Sequence, residues 1–142
     1  MFNRLRLERV LLGGLWMALL AFTVYVLMLE AGVPVPHARN ALMLLMVLLQ
    51  NVDAFNARSE TISALRIPLS RNPFLVAGVT GALLAHVTAM HVPLLQRVLN
   101  LSPLPASEWL TLGVVSLSLL LVMEIQKISW QRRTRQSAPR QA

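Results

Sequence analysis

The chain has 142 residues, of which 56% are hydrophobic, a net charge of +7 and no cysteine. The missing cysteines exclude disulfides and thiolate metal sites, and the basic residues flank apolar runs instead of lining a polar face, which excludes a nucleic-acid binder. Four apolar runs (10–29, 41–49, 74–95 and 110–125) leave too little polar chain for a soluble catalytic domain.

In chain order, the first predicted helix covers about 10–30. Its run 10–29 carries no charge, and at 1.5 Å per residue it extends about 30 Å, the thickness of the bilayer's hydrocarbon core. Gly14 and Ala18, four apart, offer a small-residue packing surface. The run is too long for a cleavable signal, and 30–34 offers no cleavage site. Pro34 and Pro36 mark a short turn. The second helix, 38–58, is the odd one, because Gln50, Asn51 and Asp53 follow its apolar run before Arg58. Counted from Arg58, Asp53 lies about 7–8 Å and Gln50 about 12 Å inside the apolar zone. Polar groups at that depth must face protein. Asp53 is the single aspartate, with Gln50 and Asn56 three residues to either side. The trio reads either as a contact in an ion pathway or as a structural cap or interhelical hydrogen bond.

After a loop at 59–72, Asn72-Pro73 opens a third helix at 73–95. Ala77, Gly81, Ala85 and Ala89 repeat every four residues along it, forming a ridge for close helix packing. The connection 91–107 is proline-rich, and its apolar stretch 94–101 is placed at the membrane interface. The fourth helix covers 108–129, with Trp109 and Trp130 at opposite interfaces. Near its end, Glu124 and Lys127 are spaced for an ion pair, the alternative being a solvated helix end. Residues 131–142 read as a basic, disordered cytoplasmic tail.

Eleven of the 13 Lys and Arg residues precede the first run, lie between the second and third, or follow the fourth. The positive-inside rule then places both termini in the cytoplasm, giving an all-α bundle of four transmembrane helices. His86 and His91, five apart, do not share a helix face as metal ligands would, and read as a packing and an interfacial residue. His37 reads as a loop residue beside Arg39. No glycine-rich phosphate loop and no grouping of Ser, His and carboxylate is visible, so no catalytic residue, metal or cofactor is expected.

At the exit of the second helix, the run 50–60, and above all Phe55-Asn56-Ala57-Arg58-Ser59-Glu60, resembles the eighth transmembrane helix and following loop of type II P-type cation-transporting ATPases. Asn72-Pro73, the stretch 101–109 and Glu124-Ile-Gln-Lys127 continue the likeness in order, over roughly residues 5–130. The resemblance implies that the four helices correspond to the seventh to tenth of such a pump, its C-terminal membrane domain. In the calcium pumps of that family an acidic ligand occupies the position of Gln50, so a calcium ligand set is not carried over and Asp53 does not inherit that role. The Asp-Lys-Thr-Gly phosphorylation motif does not occur in these residues. The expectation is therefore a bundle that is non-catalytic on its own. Its partners would be the bilayer and a chain carrying the catalytic part of a P-type ATPase, as in a split pump. The alternatives are a self-assembling scaffold or regulator, forming a homo-oligomer, and a pump remnant without a transport role. Arginine outnumbers lysine 12 to 1, which fits a GC-rich genome and the inner membrane of a bacterium.

Overall fold

The computed structural model describes residues 4–58, 68 and 71–136, and all five regular elements within them are α-helices, with no strand. The first, α1 (Arg4–Glu30), runs 27 residues and ends in a turn through Gly32. There the Val33 N–H donates to Met28 O at 2.9 Å, a closure that needs the left-handed φ of +77° at Gly32. Pro34 and Pro36 then start α2 (Val35–Asn56), since a proline in the first turn lacks only an N–H that has no intrahelical partner anyway.

The centre of the bundle is α2. It packs most extensively on α5 (Ala106–Gln136), then on α1, and on α3 (Pro73–His91) at one end. Leu44, Leu45 and Leu49 of α2 meet Leu112, Leu119 and Met123 of α5, with Leu12, Trp16 and Leu20 of α1 closing the third side. One polar contact crosses this layer, from Trp16 Nε1 to Ser118 Oγ at 3.2 Å. Facing away from α2, Leu110, Val114, Leu117, Leu121, Ile125 and Ile128 form an exposed stripe with steps of three and four residues. A continuous apolar exterior of this kind suits lipid and not water. The segments Leu7–Glu30, Pro73–His91 and Ala106–Arg132 are each long and apolar enough to cross a membrane.

By contrast, α3 buries only His86, Ala89 and Met90, all near its C-terminal end, and Phe74 near its start is 88% exposed. Its beginning is as expected: Asn72 Oδ1 accepts the Leu75 N–H at 3.1 Å as an N-cap.

Helix limits depart from expectation: α1 begins at Arg4 and not near 10, α2 at Val35 and not 38, and three other limits differ as follows. The third helix stops at His91 instead of continuing to 95, because Pro93 bars Val92 from helical dihedrals and sets it at φ −84°, ψ 119°. A separate helix, α4 (Pro93–Leu99), follows. The second helix closes at Asn56, where the Ala57 N–H caps Asp53 O at 2.8 Å. The last helix continues to Gln136, into the stretch expected to be a disordered tail, because its Gln and Arg residues are good helix formers. Residues 137–142 of that tail lie outside the described residues.

Candidate functional site

The polar turns at the end of α2 hold the residues that sequence reasoning singled out. Successive residues turn about 100° around a helix, so each three-residue step falls about 60° short of a full turn. Gln50, Asp53 and Asn56 therefore spread over about 120° of the circumference instead of sharing one face. Gln50 is exposed on the outside of the bundle, Asp53 is half-buried and Asn56 is fully enclosed. The three residues of the trio therefore meet three different environments.

Asp53 lies beside α1 and α5 at Gly13. A Cβ built on that glycine would sit 4.0 Å from Asp53 Oδ1 and 3.7 Å from Met123 Cε. Gly13, and not Gly14, is thus the small residue at this crossing. Gly14 and Ala18 are exposed, and a Cβ on Gly14 would meet nothing within 4 Å. Ala77, Gly81 and Ala85 are likewise exposed. The first pair therefore does not pack inside the chain, and the α3 ridge does so only at Ala89. Among the described residues the Asp53 carboxylate forms no hydrogen bond or ion pair.

One turn further on, the main-chain carbonyl of Asn56 is met by two cations from different helices. Arg9 Nη2 of α1 donates to it at 3.3 Å, and Lys127 Nζ of α5 at 3.5 Å. The last carbonyls of a helix lack intrahelical donors and carry its partial negative charge, so this is where cationic side chains are best placed. Lys127 also donates to Glu124 Oε1 at 3.1 Å and is only 2% exposed, which makes the expected pair a buried one and not a solvated helix end. The Asn56 amide is enclosed, and among the described residues neither its oxygen nor its nitrogen has a hydrogen-bond partner. Next to it, Arg58 Nε donates to Phe55 O at 3.1 Å, and its guanidinium carbon lies 5.5 Å from the Phe55 ring centre. Ser59 and Glu60 of the same motif lie outside the described residues.

A second polar layer closes the opposite end. His37 Nε2 and Glu108 Oε1 are 2.8 Å apart, joining α2 to α5. Asn40 donates to the main-chain oxygen of Ser102 and, at 3.3 Å, to its hydroxyl. The buried His86 ring stands edge-on to Trp109, with centroids 6.2 Å apart. His37 is therefore a residue of α2's first turn and not of a loop. Its pairing with Glu108, 71 residues away, left no mark in the sequence. His91 stays exposed, with its Nδ1 2.8 Å from Val87 O. Among the described residues no three of His, Cys, Asp and Glu cluster as a metal site.

Two polar layers around an apolar middle describe a device for holding membrane helices together. The chain belongs to the family described as "Cation transporting ATPase, C-terminus", which it matches over residues 1–129. It is an integral, multi-pass membrane protein, and the part of a P-type ATPase that it matches is not the catalytic part. Among curated proteins it is similar to a calcium-transporting ATPase of Plasmodium falciparum, with 34% identity over 91 residues, covering 64% of this chain and 7% of that protein. An endoplasmic reticulum-type calcium-transporting ATPase of Arabidopsis thaliana is 35% identical over 91 residues, covering 63% and 9%. A probable cation-transporting ATPase F of Mycobacterium tuberculosis is 24% identical over 116 residues, covering 82% and 13%. The chain thus spans about a tenth of the length of these relatives.

Proposed function

We propose that this chain is a non-catalytic support bundle of a cation pump, in which α1, α2, α3 and α5 all cross the membrane with both ends cytoplasmic. It docks against helices of a chain that carries the catalytic part. The observation that carries this reading is Gln50, an exposed amide near the C-terminal end of α2. It lies about 12 Å in from Arg58. An amide facing hydrocarbon there is unfavourable, so the surface around Gln50 is one that protein covers. The half-buried Asp53 carboxylate and the exposed glycine of α1 next to Gly13 extend the same docking region. Membership of a pump family supports the nature of the partner. The excess of arginine over lysine and the mycobacterial relative favour a bacterial inner membrane.

The test is affinity purification from the native membrane. A co-purifying chain that holds the Asp-Lys-Thr-Gly motif is the expected result. In that complex Asp53→Asn should change cation affinity; unchanged affinity and transport would leave Asp53 structural. The exposed ridge Ala77, Gly81 and Ala85 also favours a second reading, a self-assembling scaffold or regulator. That reading requires a homo-oligomer in mild detergent and no ATPase chain.

A further inference from the structure

We infer that α4 is a lipid-binding helix, embedded in the interfacial zone of the leaflet on the side away from the chain termini. It rests on the reading that α1, α2, α3 and α5 all cross the membrane. The 14 residues 92–105 between those helices hold α4, so it begins two residues past the end of a crossing segment.

Both ends of α4 are fixed. At the front, Pro93 breaks the helical path at Val92, and Gln96 Nε2 reaches back to donate to Met90 O at 2.6 Å. The helix is thereby folded against the end of α3 instead of extending its axis into water. At the back, Asn100 adopts a left-handed conformation (φ 53°, ψ 46°), and its N–H and that of Leu101 both turn to Gln96 O, the latter at 3.1 Å. Leu101 and Leu104 are then buried, Leu104 in the bundle core, which draws the chain back to α5.

Between these anchors α4 buries no residue. Leu94 and Val98, four apart and therefore on one side, are 70% and 72% exposed. Val92 and Leu99 are exposed as well, and with Val87 they continue the apolar exterior of α3 across the break. Arg97 is exposed beside them, and its long stem lets the guanidinium reach lipid phosphates while the neighbouring aliphatic groups enter the acyl region. An apolar face held rigidly open at the edge of two crossing helices has lipid as its occupant.

The absence of native cysteine permits single spin labels through Leu94→Cys, Arg97→Cys and Val98→Cys, with Leu121→Cys on the exposed stripe of α5 as reference. The full chain would be reconstituted in phosphatidylcholine–phosphatidylglycerol vesicles, and collisions with oxygen compared with those of an aqueous nickel chelate. Labels at 94 and 98 should favour oxygen severalfold more than the label at 97, though less than the mid-membrane reference at 121. Preference for the nickel chelate at 94 and 98, with 121 still in lipid, would overturn the inference and leave the membrane crossings intact. So would protection from both reagents, which marks a protein-covered face. A water-exposed label at 121 would overturn both readings together.

Discussion

Adjacent glycines on α1 should respond oppositely to the same substitution. A methyl group on Gly13 would meet Met123 Cε at 3.7 Å, Met123 Sδ at 3.8 Å and Asp53 Oδ1 at 4.0 Å, all ordinary contact distances. Gly13→Ala is therefore accommodated. Three contacts of about 0.1–0.2 kcal/mol each, with a helix-propensity gain of about 1 kcal/mol, give a net effect near 1 kcal/mol stabilising. Gly13→Leu places three further carbons into the same gap, where α2 and α5 already touch. Overpacking of that kind costs about 1–3 kcal/mol and should push α1 off the pair. At Gly14 an added Cβ meets nothing within 4 Å, so Gly14→Leu should leave the isolated bundle at least as stable as before. The measurement is reversible unfolding in detergent micelles, followed by tryptophan fluorescence. Trp16 reports directly, through its bond to Ser118 across the α1–α5 contact. Equal loss of stability from leucine at 13 and at 14 would refute the placement of α1, as would no loss at either.

Removing Lys127 should be among the most damaging single changes, because it leaves Glu124 without its 3.1 Å donor in a largely buried position. Lys127→Ala should lose about 3–5 kcal/mol, whereas Lys127→Met combined with Glu124→Gln should recover most of it, and a double-mutant cycle on unfolding midpoints reads the coupling. At the other end, Asn40→Ala removes the donor to Ser102 from a site that is 2% exposed. A loss of about 1–3 kcal/mol is expected, visible as faster amide hydrogen exchange around residues 101–104.

Much of the architecture could be read from apolar run lengths, because in lipid a long uncharged helix has few alternatives. The proline signal at 93 was also present in the sequence, and the helix break follows from it. Spacing alone did not reveal which face of a helix meets which neighbour. Gly14 and Ala18 have the right four-residue interval, yet the crossing uses Gly13. In a chain whose exterior is as apolar as its interior, hydrophobic pattern cannot separate the two, and a small residue is equally at home on either. Arg9 shows the same limit for charge. It lies in the basic N-terminal stretch, and nothing local distinguishes it from Arg4 or Arg6. Only the fold brings it to the carbonyl of Asn56, 47 residues away. The family motif around Phe55 to Arg58 was legible as a motif, but its physical purpose, the turn in which Arg58 holds Phe55 O, required coordinates.

The central position of α2 has a consequence for biogenesis. This helix falls short of the length-and-apolarity criterion that α1, α3 and α5 satisfy, yet its two polar ends are tied mainly to α5, which begins at Ala106, 50 residues after α2 ends at Asn56. On the four-crossing reading, the nascent chain presents its least membrane-ready segment to the insertion machinery before the residues that satisfy it have been synthesised. Final seating of α2 then awaits release of the last helix, and loss of that helix would strand α2 as a substrate for quality control.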